Sequence, residues 1–152
     1  MYNYFNGFDF LGDCLILETI MEDLDFDTKK YNIDYGIIGK LEDDFIFSEA
    51  VYTYPELYMV FTQFRKHYFE DFYFTNVMIN HNMEEDGIKR GEVVSLGLGD
   101  YRGGNLVIID DEEKKRVVLR SWQHINRFNS SKYEYYYSNF EGERYNLIWY
   151  NN

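Results

Sequence analysis

Glu84, Glu85 and Asp86 stand together in the run NHNMEED. If Glu84 and Asp86 share a strand, their i, i+2 spacing puts both carboxylates on one face, where they would suit a hard, oxygen-loving cation. Two carboxylates alone are not a site, and a solvated acidic loop is the plainer reading. Nitrogen ligands are scattered, because His67, His81 and His124 have no metal-ligand spacing. His81 lies five residues before Asp86 on the strand entering the same loop, and a local bulge would be needed to bring it near. His124, in RSWQHINRFN, sits on a strand and could point inward, and His67 reads as a surface residue of a helix. Near the end of the chain, Arg144 in GERYNLIWY reads as a strand arginine turned into a barrel. It would either pair with a carboxylate such as Glu141 or Glu143, or grip an anion with its planar fork. Tyr133, Tyr135 and Tyr137 alternate onto one strand face with Tyr136 opposite, a pattern of core or stacking residues.

Composition narrows what these residues can serve. The 152 residues are one domain's worth, and 20% are aromatic, so the core must be built largely from Phe and Tyr. A single alanine, Ala50, and a single proline, Pro55, beside many Asn, Tyr, Ile and Phe residues suggest an A+T-rich genome, viral or low-GC bacterial. Formal charge is −12, and residues 1–60 hold 13 acidic against 3 basic side chains. Such a chain lacks the clustered Lys and Arg that non-specific phosphate contacts need, so direct nucleic-acid binding is not expected. Its acidic face would attract a basic partner protein, or serve solubility alone. Cys14 is the only cysteine, which leaves no disulfide framework and no cysteine-rich metal site. MYNYFNGFDF lacks a basic region and a long apolar run, and no stretch of about 18 apolar residues occurs, so the expectation is a cytoplasmic protein, in the host cytoplasm if virus-encoded.

The elements that would position these groups follow from periodicity. Residues 1–11 alternate aromatic and polar, as in a short strand or packed arm. Leu17, Ile20, Met21 and Leu24 form a helical stripe within 13–24. NIDYGIIGK reads as a strand, and Phe45 and Phe47 alternate in an ambiguous stretch. Pro55 is expected at the first position of a second helix ending near Phe69, with Leu57, Val60, Phe61, Phe64 and Tyr68 on its apolar face and Gln63, Lys66 and His67 elsewhere. Thereafter the period is two, with strands predicted at 72–80, 92–98, 105–110, 116–121, 122–128, 133–138 and 144–150 and a sharp glycine turn in GDYRGG. The expectation is one domain over 1–152: a helical, acidic part over 1–71 covering one outer face of a sandwich or barrel formed by 72–152.

Taken in order, YTYPELYMVFTQFRKHY, FTNVMIN, GEVVSLGLGDYRGGNLVIID and FNSSKYEYYYSNFEGERYNLIWY resemble the Fe(II)/2-oxoglutarate-dependent oxygenases over roughly residues 33–152. The most specific pieces are GLGDYRGG and GERYNLIWY. The resemblance implies a mostly β fold with N-terminal helices, the double-stranded β-helix or jelly roll. It also implies an Fe(II) site of two histidines and one carboxylate, with open positions for the keto-acid and O₂. The His-x-Asp pair of that site falls on Glu84-Glu85-Asp86, so the carboxylate is kept at Asp86 and Glu84 replaces the histidine. The segment before it is several residues short. The second histidine falls on Tyr135, nine residues before the closing arginine, and Arg144 matches the arginine that grips the distal carboxylate of 2-oxoglutarate. Two residues on, where serine is common, stands Asn146.

Without imidazole, a carboxylate pair and a neutral phenol make a poor Fe(II) site, since an ordinary phenol ionises only near pH ~10. Three functions remain. In the first, the chain is a catalytically degraded oxygenase-like protein that needs no cofactor and works by binding a partner or ligand. In the second it is a working hydroxylase using Fe(II) and 2-oxoglutarate at a rearranged site of Asp86, Arg144 and His81. In the third it is an acidic, virus-encoded inhibitor occupying a basic nucleic-acid-binding surface of another protein.

Overall fold

The computed structural model describes residues 2–26, 29–84 and 88–152. In chain order these form α1 (Phe10–Glu22), β1 (Tyr31–Leu41), β2 (Asp44–Phe47), α2 (Glu49–Thr53), α3 (Leu57–Tyr68), β3 (Asn76–His81), β4 (Glu92–Gly103), β5 (Leu106–Asp110), β6 (Lys115–Leu119), β7 (Ile125–Asn129), β8 (Glu134–Tyr137) and β9 (Phe140–Tyr150). The strands make two antiparallel sheets, a larger one in the order β2-β1-β3-β9-β4-β7 and a smaller one in the order β6-β5-β8. Leu106, Ile108, Leu119, Tyr135 and Tyr137 of the small sheet meet Val93, Phe128, Ile148 and Tyr150 of the large one in a shared apolar cluster. The fold is a jelly roll, as expected.

The other face of the large sheet carries the main core. Val77 and Ile79 of β3, Leu96 and Leu98 of β4, and Leu147 and Trp149 of β9 pack under Leu17 and Met21 of α1 and Phe61 and Phe64 of α3. β9 lies between β3 and β4 and is buried on both faces from Arg144 onward, so its alternate side chains serve two different interiors. Among the described residues no helix is long and apolar enough to cross a membrane.

Two helix boundaries differ from the sequence-based expectation. α1 starts at Phe10 because Asp9 caps it, its Oδ1 accepting from Gly12 N at 3.0 Å. Pro55 stands in the turn before α3 rather than at its first position. That turn is held from outside the helix, where the Tyr35 hydroxyl donates to Tyr54 O at 2.7 Å and accepts from Tyr58 N at 3.1 Å. Gln63 belongs to the buried face of α3, contrary to expectation. Its Oε1 accepts from Tyr4 N at 2.9 Å and its Nε2 donates to Tyr2 O at 2.6 Å, so it clamps the N-terminal arm that buries Phe5.

The GDYRGG segment is not a turn at Gly99. β4 continues through it to Gly103, paired with β9 as far as Gly103 opposite Phe140. The chain leaves for the small sheet at Gly104, with Gly103 and Gly104 at φ +76° and +63°. An extended β4 follows from its pairing with β9, which one-dimensional turn signals do not contain.

An aromatic core makes the fold sensitive to alkali. Burial pushes the Tyr31, Tyr68 and Tyr150 hydroxyls up from their ordinary range, with hydrogen bonds to Asp13 and Asp34 adding to the shift at Tyr68 and Tyr150. Burial likewise pushes Tyr35 up to about 12. Each folded value exceeds the unfolded one, so the stabilisation is complete below the ordinary phenol value near 10 and is lost as pH rises from there through about 12. The expected result is cooperative unfolding in that window, followed by phenolate absorbance and circular dichroism together. Smooth ionisation of every tyrosine near pH 10 with the fold intact would contradict it.

Candidate functional site

Alternation along β9 divides the residues singled out from the sequence. Tyr145, Leu147 and Trp149 face the helices, and Ile148 and Tyr150 face the small sheet with Arg144 and Asn146 in phase with them. Arg144 is opposite Gly99 of β4, and Asn146 is opposite Gly97 of β4 and Asn80 of β3. Glycine at 99 and 104 lets backbone come close, and the ideal Cβ of a residue at 104 would be 3.5 Å from Arg144 Nη1.

Arg144 is 2% exposed, a burial that a guanidinium tolerates only when its donors are engaged. Nη2 donates to Met83 O at 2.9 Å and to Asn80 Oδ1 at 3.4 Å. The guanidinium carbon lies 4.1 Å from the Phe140 ring centroid and 5.8 Å from that of Tyr137, two cation–π contacts. Asn82, at φ +58°, exchanges main-chain contacts with the same residue, its N donating to Arg144 O at 3.0 Å and its Oδ1 accepting from Arg144 N at 2.7 Å. Arg144 also lines a cleft of about 480 Å³ with Glu84, Tyr136, Tyr137, Ser138, Asn139 and Phe140. The structure therefore gathers Arg144, Glu84 and the aromatic strand β8 at one opening.

Asn80, Asn82 and Phe140 were not singled out from the sequence. A signal for the asparagines exists in VMINHN, since asparagine is the non-glycine residue most at ease at positive φ and in local side-chain-to-backbone bonds.

The pairing of Arg144 with Glu143 suggested by their adjacency is not what forms. Glu143 is one position out of phase, and its Oε2 accepts from Asn82 Nδ2 at 2.8 Å and meets His81 Nε2 at 3.2 Å. The Asn82 amide, with a smaller part from His81, holds the Glu143 carboxyl below its ordinary range. Glu141 is exposed. His81 in turn is stacked on Tyr145, 4.2 Å between centroids at 5°, on the helix-facing side of the sheet. Alternation thus separates His81 from Arg144 by the thickness of the sheet. His124 and His67 are both exposed.

Asp86 and its neighbour Glu85 lie outside the described residues. Tyr135, at the expected second-histidine position, is half-buried on β8 between Phe128 and Tyr137, with ring centroids 4.9 and 6.3 Å away. Its hydroxyl donates to Ile88 O at 2.8 Å and accepts from Ile88 N, which ties β8 to the segment that follows Asp86. Tyr133 and Tyr137 are half-buried in phase with it, and Tyr136 is turned out to Arg116, whose Nη2 donates to its hydroxyl at 2.7 Å.

An Fe(II) centre of the oxygenase type needs two imidazoles and a carboxylate on one side of the metal. Among the described residues no group of three or more His, Cys, Asp or Glu side chains could hold an ion. With His81 on the far face and Tyr135 bonded to main chain, the described residues do not fit that centre. The cleft is lined by Arg144, a planar cation whose fork suits a carboxylate.

No protein-family model matches the sequence, and no curated protein does. Solved structures do. An oxidoreductase of the 2OG-Fe(II) oxygenase family from Burkholderia pseudomallei superposes with a TM-score of 0.61 at 12% identity, over 94% of this chain and 78% of that one. NgTET1, solved in complex with 5mC DNA, superposes with a TM-score of 0.53 at 10% identity, over 94% of this chain and 67% of that one. The chain resembles the 2-oxoglutarate oxygenase superfamily in fold, and at such identities the likeness is one of fold.

Proposed function

We propose that this chain is a catalytically degraded oxygenase-like protein whose jelly roll works as a rigid scaffold for binding a partner protein. The observation that carries this reading is Tyr135, which stands at the second-histidine position and has its hydroxyl committed to both main-chain groups of Ile88. A phenol that donates to a carbonyl keeps its proton, and neutral phenol oxygen is a poor substitute for imidazole nitrogen on iron. A working hydroxylase would need His81 as a replacement ligand, and His81 is stacked on Tyr145 across the sheet.

The partner is a protein with a basic surface. Residues 1–60 carry 13 acidic and 3 basic side chains, which supports attraction to Lys and Arg and opposes contacts to nucleic-acid phosphates. A virus-encoded inhibitor of a nucleic-acid-binding protein is one form this activity would take.

The test is anaerobic calorimetry of the metal-free protein with Fe(II) or Mn(II), with and without 2-oxoglutarate. The expected result is no saturable metal binding at micromolar concentration, and its appearance in a Glu84→His/Tyr135→His double variant. Micromolar binding by the natural protein, strengthened reciprocally by 2-oxoglutarate, would overturn the proposal.

A further inference from the structure

The structure assigns a docking edge: the outer side of β2 takes an extended, basic segment of a partner protein as an added strand, with one apolar side chain seated beside Phe47. The inference rests on the scaffold reading above and names where and how that scaffold binds.

β2 ends the large sheet, and β1 is its strand neighbour among the described residues. Its outer side therefore offers a row of backbone N–H and C=O groups, the template for strand addition. Native edges are ordinarily blunted by being very short, by charges or Pro along the strand, or by bulges. β2 is four residues long, opens with Asp44 and pairs with β1 across a register shift. Here Phe45, Ile46 and Phe47 follow one another and are 58%, 41% and 40% exposed. Beside them is a groove of about 410 Å³ lined by Tyr35, Phe47, Val51, Tyr58 and Phe74, with Ile37 below. It is apolar along most of its wall and of a size for one or two aliphatic or aromatic side chains. An added strand would present such side chains at every second residue.

Charge decides the occupant. The hairpin turn between β1 and β2 carries Glu42 and Asp43, and Asp44 opens the strand. Glu42 sits at φ +56°, a conformation uncommon for residues other than Gly and Asn. Glu49 follows two residues after Phe47, and Lys40 lies over the Phe45 ring at 5.9 Å. Acid thus brackets the apolar run at both ends. A second copy adding through a two-fold axis would run its β2 antiparallel and bring Glu42, Asp43 and Asp44 toward the Glu49 of its mate, acid against acid. A segment with Lys or Arg flanking an apolar residue meets opposite charge at both ends.

The experiment uses the full chain and three synthetic ten-residue peptides. One alternates lysine with valine around a central phenylalanine, the second has glutamate for lysine, and the third is the lysine peptide N-methylated on every backbone amide, so that neither edge can donate. Binding is read by fluorescence anisotropy at low and high salt, and its location by amide shifts in ¹H–¹⁵N spectra. The expected result is saturable binding of the lysine peptide alone, with shifts centred on Asp44–Phe47. Phe47→Ala should weaken it at least tenfold, and Glu42→Gln/Asp43→Asn/Asp44→Asn should weaken it and flatten its salt dependence. Both changes are at exposed positions, and circular dichroism checks the fold. Equal binding of the glutamate or N-methylated peptide, shifts that map elsewhere, or no saturation would overturn the docking edge. So would a dimer in sedimentation that Phe47→Ala dissolves, since the edge would then belong to a second copy. The metal titration reads only the Tyr135 region, so either proposal can fail while the other's readout stands.

Discussion

Trp149→Ala is expected to lower the unfolding free energy by about 3–5 kcal/mol, against a total of roughly 5–15 kcal/mol for a domain of this kind. Trp149 is fully buried on β9 and joins the sheet to the helical layer. Its ring is stacked on Phe64 at 17° and 5.9 Å, and it meets Phe61 and Phe69 edge-on at 5.9 and 5.0 Å. Its strand neighbours are Val77 and Val94, both buried. Removing the indole leaves a cavity walled by three aromatic rings that are themselves fixed by α3 and the chain after it, so collapse around the gap is limited. In thermal terms the loss is a fall in Tm of roughly 6–20 °C. Trp149→Phe separates packing from polarity. Nε1 of Trp149 has no hydrogen-bond partner among the described residues, so phenylalanine removes a buried donor together with part of the volume. Its cost is expected below about 2 kcal/mol. Chemical denaturation of the two variants checks this, and a cost for alanine no greater than for phenylalanine would contradict it.

Gly99→Ala is the second large effect, at roughly 3 kcal/mol or more. Gly99 has φ +113°, a region costly for any residue with a Cβ, and an added Cβ would lie 2.2 Å from Glu143 O. That oxygen is main chain of β9, so relief requires the β4–β9 pair to part at the point where Gly99 faces Arg144. Gly91→Ala is the internal control. Gly91 also has positive φ, at +72°, yet an added Cβ there meets nothing within 4 Å. Its cost is expected near 1 kcal/mol, the strain alone. Unfolding free energies of the two variants measure the close approach by difference. Equal costs would mean that β4 and β9 can separate freely at Gly99.

Much of this architecture was legible in the chain. Period-two alternation after residue 72 located β3 to β9 within a few residues, and helical spacing found Leu17, Met21, Leu57, Val60, Phe61 and Phe64 on buried faces. Such patterns are local consequences of how side chains project from a helix or strand, so they survive in one dimension. The alternation of Tyr133, Tyr135 and Tyr137 was likewise legible, as was an inward Arg144.

What a site requires is a relation between strands, and there the sequence by itself stops. Proximity in sequence suggested Glu143 for Arg144 and His81 for the loop that carries Asp86. Strand pairing puts His81 opposite Tyr145 and sends both His81 and Glu143 to the helix-facing side, away from Arg144. Gly99, read as part of a turn, instead lies within β4 opposite Arg144 of β9, and the chain turns only at Gly103 and Gly104. Gln63, polar and so expected outside, is buried because the N-terminal arm supplies both of its partners. The chain determined by itself a run of short strands after residue 72 that fits a sandwich or barrel, and an inward arginine, because each is a matter of residue type and period. Only the tertiary structure decided which face each polar side chain reaches and which partner satisfies it, because a buried polar group takes the partner that sheet register brings to it.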